Sequence, residues 1–315
     1  MAIIYNGNKD ERQFKSAISE TIKNLLTSDE KVVYLDCDLS SCIGCNKLIN
    51  EFDRAINCGI AEANMAGIAG GLSSGGMKPI IHTFGPFASR RCYDQIFLSG
   101  GYAGNSITII GTDPGVTAAF NGGTHMPFED TGLYRLIPYA YICDVTDIPM
   151  LNCLLKKSVN MKGIKYFRVP RKDSYLVYSD DTDFDFGKGK VIFDAGTDCL
   201  IIASGIMVNE AMKAAGELSK SNIKVTVIDP VTVKPLDEKL ILDYANKCKK
   251  IVVAENHNKI GGLVSAVKEL LCGQDVKVSH VAVEDIFGEV GPQDYLQKQF
   301  KLTAEHIIEV VKNLN

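Results

Sequence analysis

The chain has 315 residues, 46% of them hydrophobic and 23% charged, with a formal net charge of -4. That length holds two α/β domains with substantial cores, and the balance is that of an ordinary globular protein, not a disordered or collagenous one. Lysines and arginines are scattered with no basic stripe interleaved with aromatics, which argues against nucleic acid, and no apolar stretch reaches membrane-spanning length. The first fourteen residues are polar from Tyr5 onward and carry no signal-peptide core, so a cytoplasmic location is expected. Along the chain, short apolar runs alternate with amphipathic stretches, the pattern of parallel sheets with crossover helices. The expected strands are Val32–Asp36, 79–83, 107–111, 140–143 and 165–169. A polar, acidic, glycine-containing segment, 179–190, reads as a linker between a first domain, 1–178, and a second, 191–315. Strands Cys199–Ala203, 224–228, 251–254 and 276–283 are expected in the second domain, and Thr303 is an N-cap candidate for its final helix.

Three segments carry candidate chemistry. Asn57-Cys58-Gly59-Ile60-Ala61-Glu62-Ala63-Asn64-Met65-Ala66-Gly67-Ile68-Ala69-Gly70-Gly71 places one carboxylate at the start of a small-residue helix that another backbone can approach closely. A carboxyl group taken from water into such a seam must find a partner or stay protonated, and buried acids are typical of acid–base sites. The plainer alternative for Glu62 is an acid at a helix N-terminus, helped by the helix dipole. Next, a strand at 79–83 ends in Phe84-Gly85-Pro86-Phe87, two aromatics where an open parallel sheet forms its ligand crevice; ordinary core is the plainer reading of such a pair. Third, Asn121-Gly122-Gly123-Thr124-His125 is a glycine-bounded loop carrying a histidine, a better functional position than a histidine on an apolar face.

Ten cysteines include Cys37, Cys42 and Cys45 in the spacing Cys-x4-Cys-x2-Cys with Cys58 downstream, which matches plant-type iron–sulfur ligation. Short cysteine patterns match by chance, and the preferred reading is small buried core residues in a reducing compartment, as for Cys143, Cys153 and Cys199 in their apolar runs.

Taken in order, these residues resemble the C-terminal half of transketolase over essentially the whole chain. Gly59-Ile60-Ala61-Glu62-Ala63-Asn64-Met65 is similar to the family's glutamate motif. Thr83-Phe84 with Phe87 and Arg90, continued by Tyr93-Asp94-Gln95, resembles the pocket for the aminopyrimidine of thiamine diphosphate. Thr124-His125 resembles the substrate histidine loop, Phe167-Arg168-Val169-Pro170-Arg171 the strand end that grips a sugar phosphate, and Asp38-Leu39 an acidic position near the thiazolium. Glu255-Asn256-His257-Asn258, Gly261-Gly262, Phe287-Gly288-Glu289 and Leu302-Thr303-Ala304-Glu305-His306 resemble the C-terminal domain.

The resemblance implies two doubly wound α/β domains: a mostly parallel pyrimidine-binding domain, then a smaller C-terminal one. It implies that Glu62 and His125 are catalytic, and that Asp38, Glu62, Phe84, Phe87 and Arg90 bind the cofactor. Substrate-binding roles fall to His125, Asn121 and Arg168. The cofactor supplies a carbanion, and Glu62 serves it by hydrogen-bonding the pyrimidine N1′. No Gly-Asp-Gly segment with a downstream Asn occurs, so the Mg2+ that carries the diphosphate is expected on a separate N-terminal subunit. The implied assembly is a homodimer through the pyrimidine-binding domain and a heterotetramer with that partner. Two positions depart from the common pattern. Thr112-Asp113-Pro114 stands where Thr-His-Asp is usual, and Asn121 stands where an aspartate is often found. An acid at 113 repels a phosphate. Three functions follow for weighing: a split transketolase subunit, the β subunit of a thiamine-dependent 2-oxoacid dehydrogenase, and a non-catalytic subunit that kept the fold. The Thr124-His125 loop and Arg168 favour the first.

Overall fold

The computed structural model describes residues 3–314; residues 1, 2 and 315, at the outer ends of the two expected domain segments, lie outside the described residues. The chain forms two compact units. The first takes the chain up to Pro114 together with Leu133–Phe184, and the second takes Gly115–Gly132 with the chain from Asp185 onward. The His125 loop, drawn by sequence into 1–178, therefore packs with the second unit. The first unit reaches into the segment read as a linker, where Phe184 is buried and meets the Tyr178 ring edge-on at 4.9 Å.

The first unit contains β1 (Val32–Asp36), β2 (Ala55–Asn57), β3 (Lys78–Phe84), β4 (Ile107–Thr112), β5 (Tyr141–Asp144) and β6 (Ile164–Val169). They lie in the order β5-β6-β4-β3-β1-β2, all parallel. Every residue of β1 and β4 is buried, which is why these segments read as apolar runs without alternation. The chain leaves β1 toward β2 on one side and returns to β3 on the other. That reversal creates a crevice beyond the carboxyl ends of β1 and β3, where open α/β sheets bind ligands. Asp36 and Phe84 close those two strands.

The second unit contains β7 (Lys190–Asp194), β8 (Cys199–Ala203), β9 (Val225–Asp229), the three-residue β10 (Thr232–Lys234), β11 (Lys250–Asn258) and β12 (Lys277–Val283). Its sheet runs β12-β11-β8-β9-β7, parallel except for β7, which pairs antiparallel with β9. The strands that the sequence did not show, β2, β7 and β10, are short or partly exposed, so they lack a readable apolar run. Here too the strand order reverses, between β8 and β11, but the chain fills the place itself. Glu255 accepts the N–H groups of Leu263 and Val264 at 2.7 and 2.8 Å, occupying the start of helix Leu263–Leu270. A Cβ on Gly262 would collide with that carboxylate.

The small-residue helix spans Glu62–Ser74 and buries Glu62, Met65, Ala66, Ala69 and Gly70. The close backbone approach expected of it is real: an ideal Cβ on Gly70 would stand 2.9 Å from the Ser99 carbonyl oxygen. Thr303 caps the final helix, Ala304–Asn313, by accepting the His306 N–H at 3.3 Å. Among the described residues no helix is long and apolar enough to cross a membrane.

Candidate active site

Glu62 begins its helix with no side-chain cap and is only 2% exposed. A carboxylate so placed needs a partner, and Arg91 supplies it: Nη1 lies 3.0 Å from Oε1 and 3.1 Å from Oε2. The same guanidinium lies over the Phe87 ring, 3.9 Å from its centroid. A π-helical turn, Phe87–Arg91, brings Arg91 there. Such a turn accommodates one more residue than an α-turn, and π-turns recur at functional sites. Arg91, the last residue of that turn, thus reaches both the acid and the ring, and Arg90 precedes it on the same turn, exposed.

Phe84, 9% exposed, stands with its ring tilted at 50° to that of Phe87, the centroids 6.3 Å apart. On its other side Arg171 lies 4.8 Å from the Phe84 centroid and donates from Nε to Asp113 Oδ2 at 2.7 Å. Burial pushes the Asp113 carboxyl above the usual carboxylate range, and Arg171 opposes that shift. The acid at 113 thus comes with its own counter-charge. Asp113 sits just past β4 in the left-handed region, φ 61°. Asp38, just past β1, is left-handed as well, φ 64°; it is exposed and trades hydrogen bonds with Asn57, N to Oδ1 at 3.0 Å and Nδ2 to Oδ1 at 3.1 Å. Strained backbone of this kind persists only where neighbours hold it, and it gathers at functional sites.

Arg168, expected to bind substrate, lies inside β6, 1% exposed, with Nη1 3.0 Å from Asp144 Oδ2 of the adjacent β5. The arginine that reaches the strand ends is Arg171, and Pro170 is the signal that separates the two. Proline ends the strand, so Arg168 is strand interior and Arg171 belongs to the loop beyond.

Asn121 and His125 lie in the second unit. Asn121 is exposed at the end of the turn Gly115–Asn121, and His125 is half-buried with Nδ1 2.9 Å from the Thr124 hydroxyl. Their loop is pinned by a close glycine approach, since a Cβ on Gly123 would collide with the Gly288 carbonyl. Met126 also lies against Gly288.

Among the described residues no group of three or more His, Cys, Asp and Glu side chains is arranged to hold an ion. Cys37 and Cys45 are buried, and burial pushes both thiols up to about 12.

A flat, hydrogen-bonding ring fits what the first unit offers. Glu62 provides a buried carboxylate, Phe84 and Phe87 provide apolar faces, and the Thr83 hydroxyl beside them is buried with no hydrogen-bond partner. An aminopyrimidine needs all three: an acid for a ring nitrogen, a stacking face and a nearby polar atom.

Two family models match the chain. The transketolase pyrimidine-binding domain covers residues 10–175, and the transketolase C-terminal domain covers residues 187–307. The 6-deoxy-6-sulfo-D-fructose transketolase subunit SqwH of Clostridium sp. (strain MSTE9) is 39% identical over 302 residues, 95% of this chain and 93% of that protein. Mouse transketolase is 31% identical over 97% of this chain, which spans 49% of it. A solved split-gene transketolase, an inactive beta4 tetramer, superposes with a TM-score of 0.87 at 32% identity, covering 96% of this chain and 97% of that one. With both domain models in order along one two-unit α/β chain, the protein belongs to the transketolase family, whose members depend on thiamine diphosphate.

Proposed function

We propose that this chain is the C-terminal subunit of a split transketolase, which moves a two-carbon ketol unit from a ketose to an aldose. The diphosphate and its Mg2+ would be held by a separate N-terminal subunit. One observation carries the catalytic reading: Glu62 is a carboxylate buried to 2% exposure and linked through Arg91 to the Phe84–Phe87 ring pair. The span supports the partner reading, since the chain nearly fills two split-enzyme subunits but half of a one-chain transketolase.

Thiamine diphosphate supplies a carbon nucleophile that cleaves and forms the carbon–carbon bond. Glu62 holds a proton against the pyrimidine N1′ in a dry seam, where such a hydrogen bond is strong. Phe84 and Phe87 orient the ring and exclude water. His125 hydrogen-bonds substrate hydroxyls and moves protons there, with Asn121 beside it on the same loop. Arg171 takes the substrate's terminal anion in the place first given to Arg168, because a guanidinium offers forked, charge-assisted donors. Its pairing with Asp113 favours a monoanion, such as a sulfonate, over a phosphate dianion. A sulfosugar relative is in keeping with that choice. Exposed Ile60 and Ile68, at and on the small-residue helix, offer a surface for pairing two copies of the chain.

The test is reconstitution. Ketol transfer should be absent from the purified chain and appear when it is mixed with a separately encoded diphosphate-binding subunit, thiamine diphosphate and Mg2+. Full activity from the chain alone refutes the half-enzyme reading. In the reconstituted enzyme Glu62→Gln should slow exchange of the cofactor's C2 proton, and normal exchange removes Glu62 from its role.

A further inference from the structure

Buried in the sheet that ends in Asp36 and Phe84 lies a chain of polar groups that none of the roles above uses. Tyr34 and Asp36 on β1, His82 on β3 and Thr112 on β4 are all 0% exposed. Asp36 Oδ2 accepts from the Tyr34 hydroxyl at 2.7 Å and lies 2.8 Å from His82 Nδ1. The other ring nitrogen, Nε2, lies 3.1 Å from the Thr112 hydroxyl. Asp36 also accepts, through Oδ1, the backbone N–H of Leu39. One imidazole in the middle strand therefore joins the last residue of β1 to the last residue of β4.

What lies immediately beyond those two residues gives the chain its meaning. After β1 comes Asp38, and after β4 comes Asp113, both non-glycine residues in the left-handed region. Each such residue is strained and stays only where its surroundings over-determine it. Asp36 restrains the turn at Asp38 through Leu39. Thr112, tethered to His82, restrains Asp113, whose N–H is also held by the Val169 carbonyl at 3.1 Å. Asp113 in turn fixes the Arg171 guanidinium over Phe84. Apolar side chains would fill three buried strand positions with no desolvation cost, so a buried Asp–His–Thr chain calls for a role beyond packing.

We propose that His82 is a positioning residue: it ties the cofactor-side turn at Asp38 to the Asp113–Arg171 pair, so that the anion-binding guanidinium is held at a set place relative to the pyrimidine pocket. This rests on the proposed function for the meaning of the two ends, but the tie itself is testable in the chain alone.

Thr112→Val cuts the link at nearly constant volume and leaves the Asp36–His82 pair intact, while Thr112→Ser keeps the hydroxyl. The readout is hydrogen exchange at the Arg171 Nε–H, followed by NMR on the isolated chain and compared at matched folded fraction. Thr112→Val should speed exchange by about tenfold, a loss of roughly 1.4 kcal/mol of protection, and Thr112→Ser should stay within about twofold of the parent. His82→Gln should speed exchange comparably, and adding Thr112→Val to it should change nothing more. Equal exchange in the Val and Ser variants overturns the proposal, as does additivity of His82→Gln with Thr112→Val. In the reconstituted enzyme, Thr112→Val should raise KM for the anionic substrate severalfold with kcat nearly kept, and Thr112→Ser should restore KM. A fall in kcat at unchanged KM overturns the positioning role. If the reconstituted parent shows no ketol transfer, the proposed function fails while the exchange experiment still decides the tie.

Discussion

Arg91 donates to both carboxylate oxygens of Glu62, at 3.0 and 3.1 Å, while lying across the face of Phe87. One guanidinium thus occupies the two contacts that an aminopyrimidine would make with these residues. Binding of that ring requires Arg91 to swing out, and its side chain, 47% exposed, has room to do so. Arg91→Met should therefore strengthen binding of thiamine diphosphate by about tenfold, which is roughly 1.4 kcal/mol. The same substitution should lower the stability of the cofactor-free chain by about 1–3 kcal/mol, less than for a fully buried pair because the arginine is half-exposed. Titration calorimetry and urea unfolding read the two effects. Weaker binding by the Met variant would show that Arg91 assists the cofactor instead of competing with it.

If Arg171 takes the substrate anion as proposed, its pairing with Asp113 bears on specificity. A phosphate monoester loses its second proton near pH 6 and is mostly dianionic at pH 7, whereas a sulfonate carries one charge throughout. In the reconstituted enzyme, kcat/KM for a phosphate-bearing ketose should improve as pH falls from about 7 to 5.5 relative to the sulfonate analogue. Asp113→Asn should raise the phosphate-to-sulfonate ratio by about tenfold at pH 7, since it removes one negative charge beside the anion. A ratio unmoved by Asp113→Asn would mean that the terminal anion binds elsewhere.

Gly70 and Gly71 are neighbours on one helix with opposite surroundings. A Cβ on Gly70 meets the Ser99 carbonyl at 2.9 Å, whereas one on Gly71 meets nothing within 4 Å. Gly71→Ala should stabilise the chain by about 0.5–1 kcal/mol through helix propensity. Gly70→Ala should destabilise it by about 1–2 kcal/mol despite the same gain, because backbone must move to admit the methyl. Urea midpoints of the two variants should fall on opposite sides of the parent's, and a stabilised Gly70→Ala would mean that the seam is slack.

Lys165 is buried in β6 with Nζ donating to the carbonyls of Met161 and Gly163, both at 2.9 Å. Burial pulls its ammonium down to about 7 from 10.5. Between those values the unfolded chain binds the extra proton, so this group makes folding stability rise with pH across the window, and its penalty is fully present below pH 7. Lys165→Met should therefore be more stable than the parent near pH 6, by on the order of 2–4 kcal/mol, with the gap closing toward pH 10. Chemical unfolding at both pH values checks the sign. A gap that does not close assigns the difference to packing.

Much of this was legible in the chain. Val32–Asp36 and Cys199–Ala203 match their strands to the residue because fully buried parallel strands write themselves as apolar runs. Glu62 stood out because small residues around an acid admit few structures. The arginines were harder. Periodicity does not mark where β6 ends, so Arg168 and Arg171 look alike until Pro170 is given its weight. The contact of Arg91 with Glu62 was not legible, because a π-turn shifts the face that a 3.6-residue period predicts. His82 drew no notice, since a histidine inside a strand is unremarkable until Asp36 and Thr112 arrive from the strands on either side.

The contact between Gly123 and Gly288 bears on any attempt to take the protein apart. His125 is joined by peptide bonds to residues of the first unit at both ends of its segment, yet it is braced by the second. A protease cut within 179–190 would sever the two covalently and still leave the histidine loop clasped by the C-terminal piece. A fragment ending at residue 178 would carry His125 without its brace. Such fragments measure loss of the brace as much as loss of a domain.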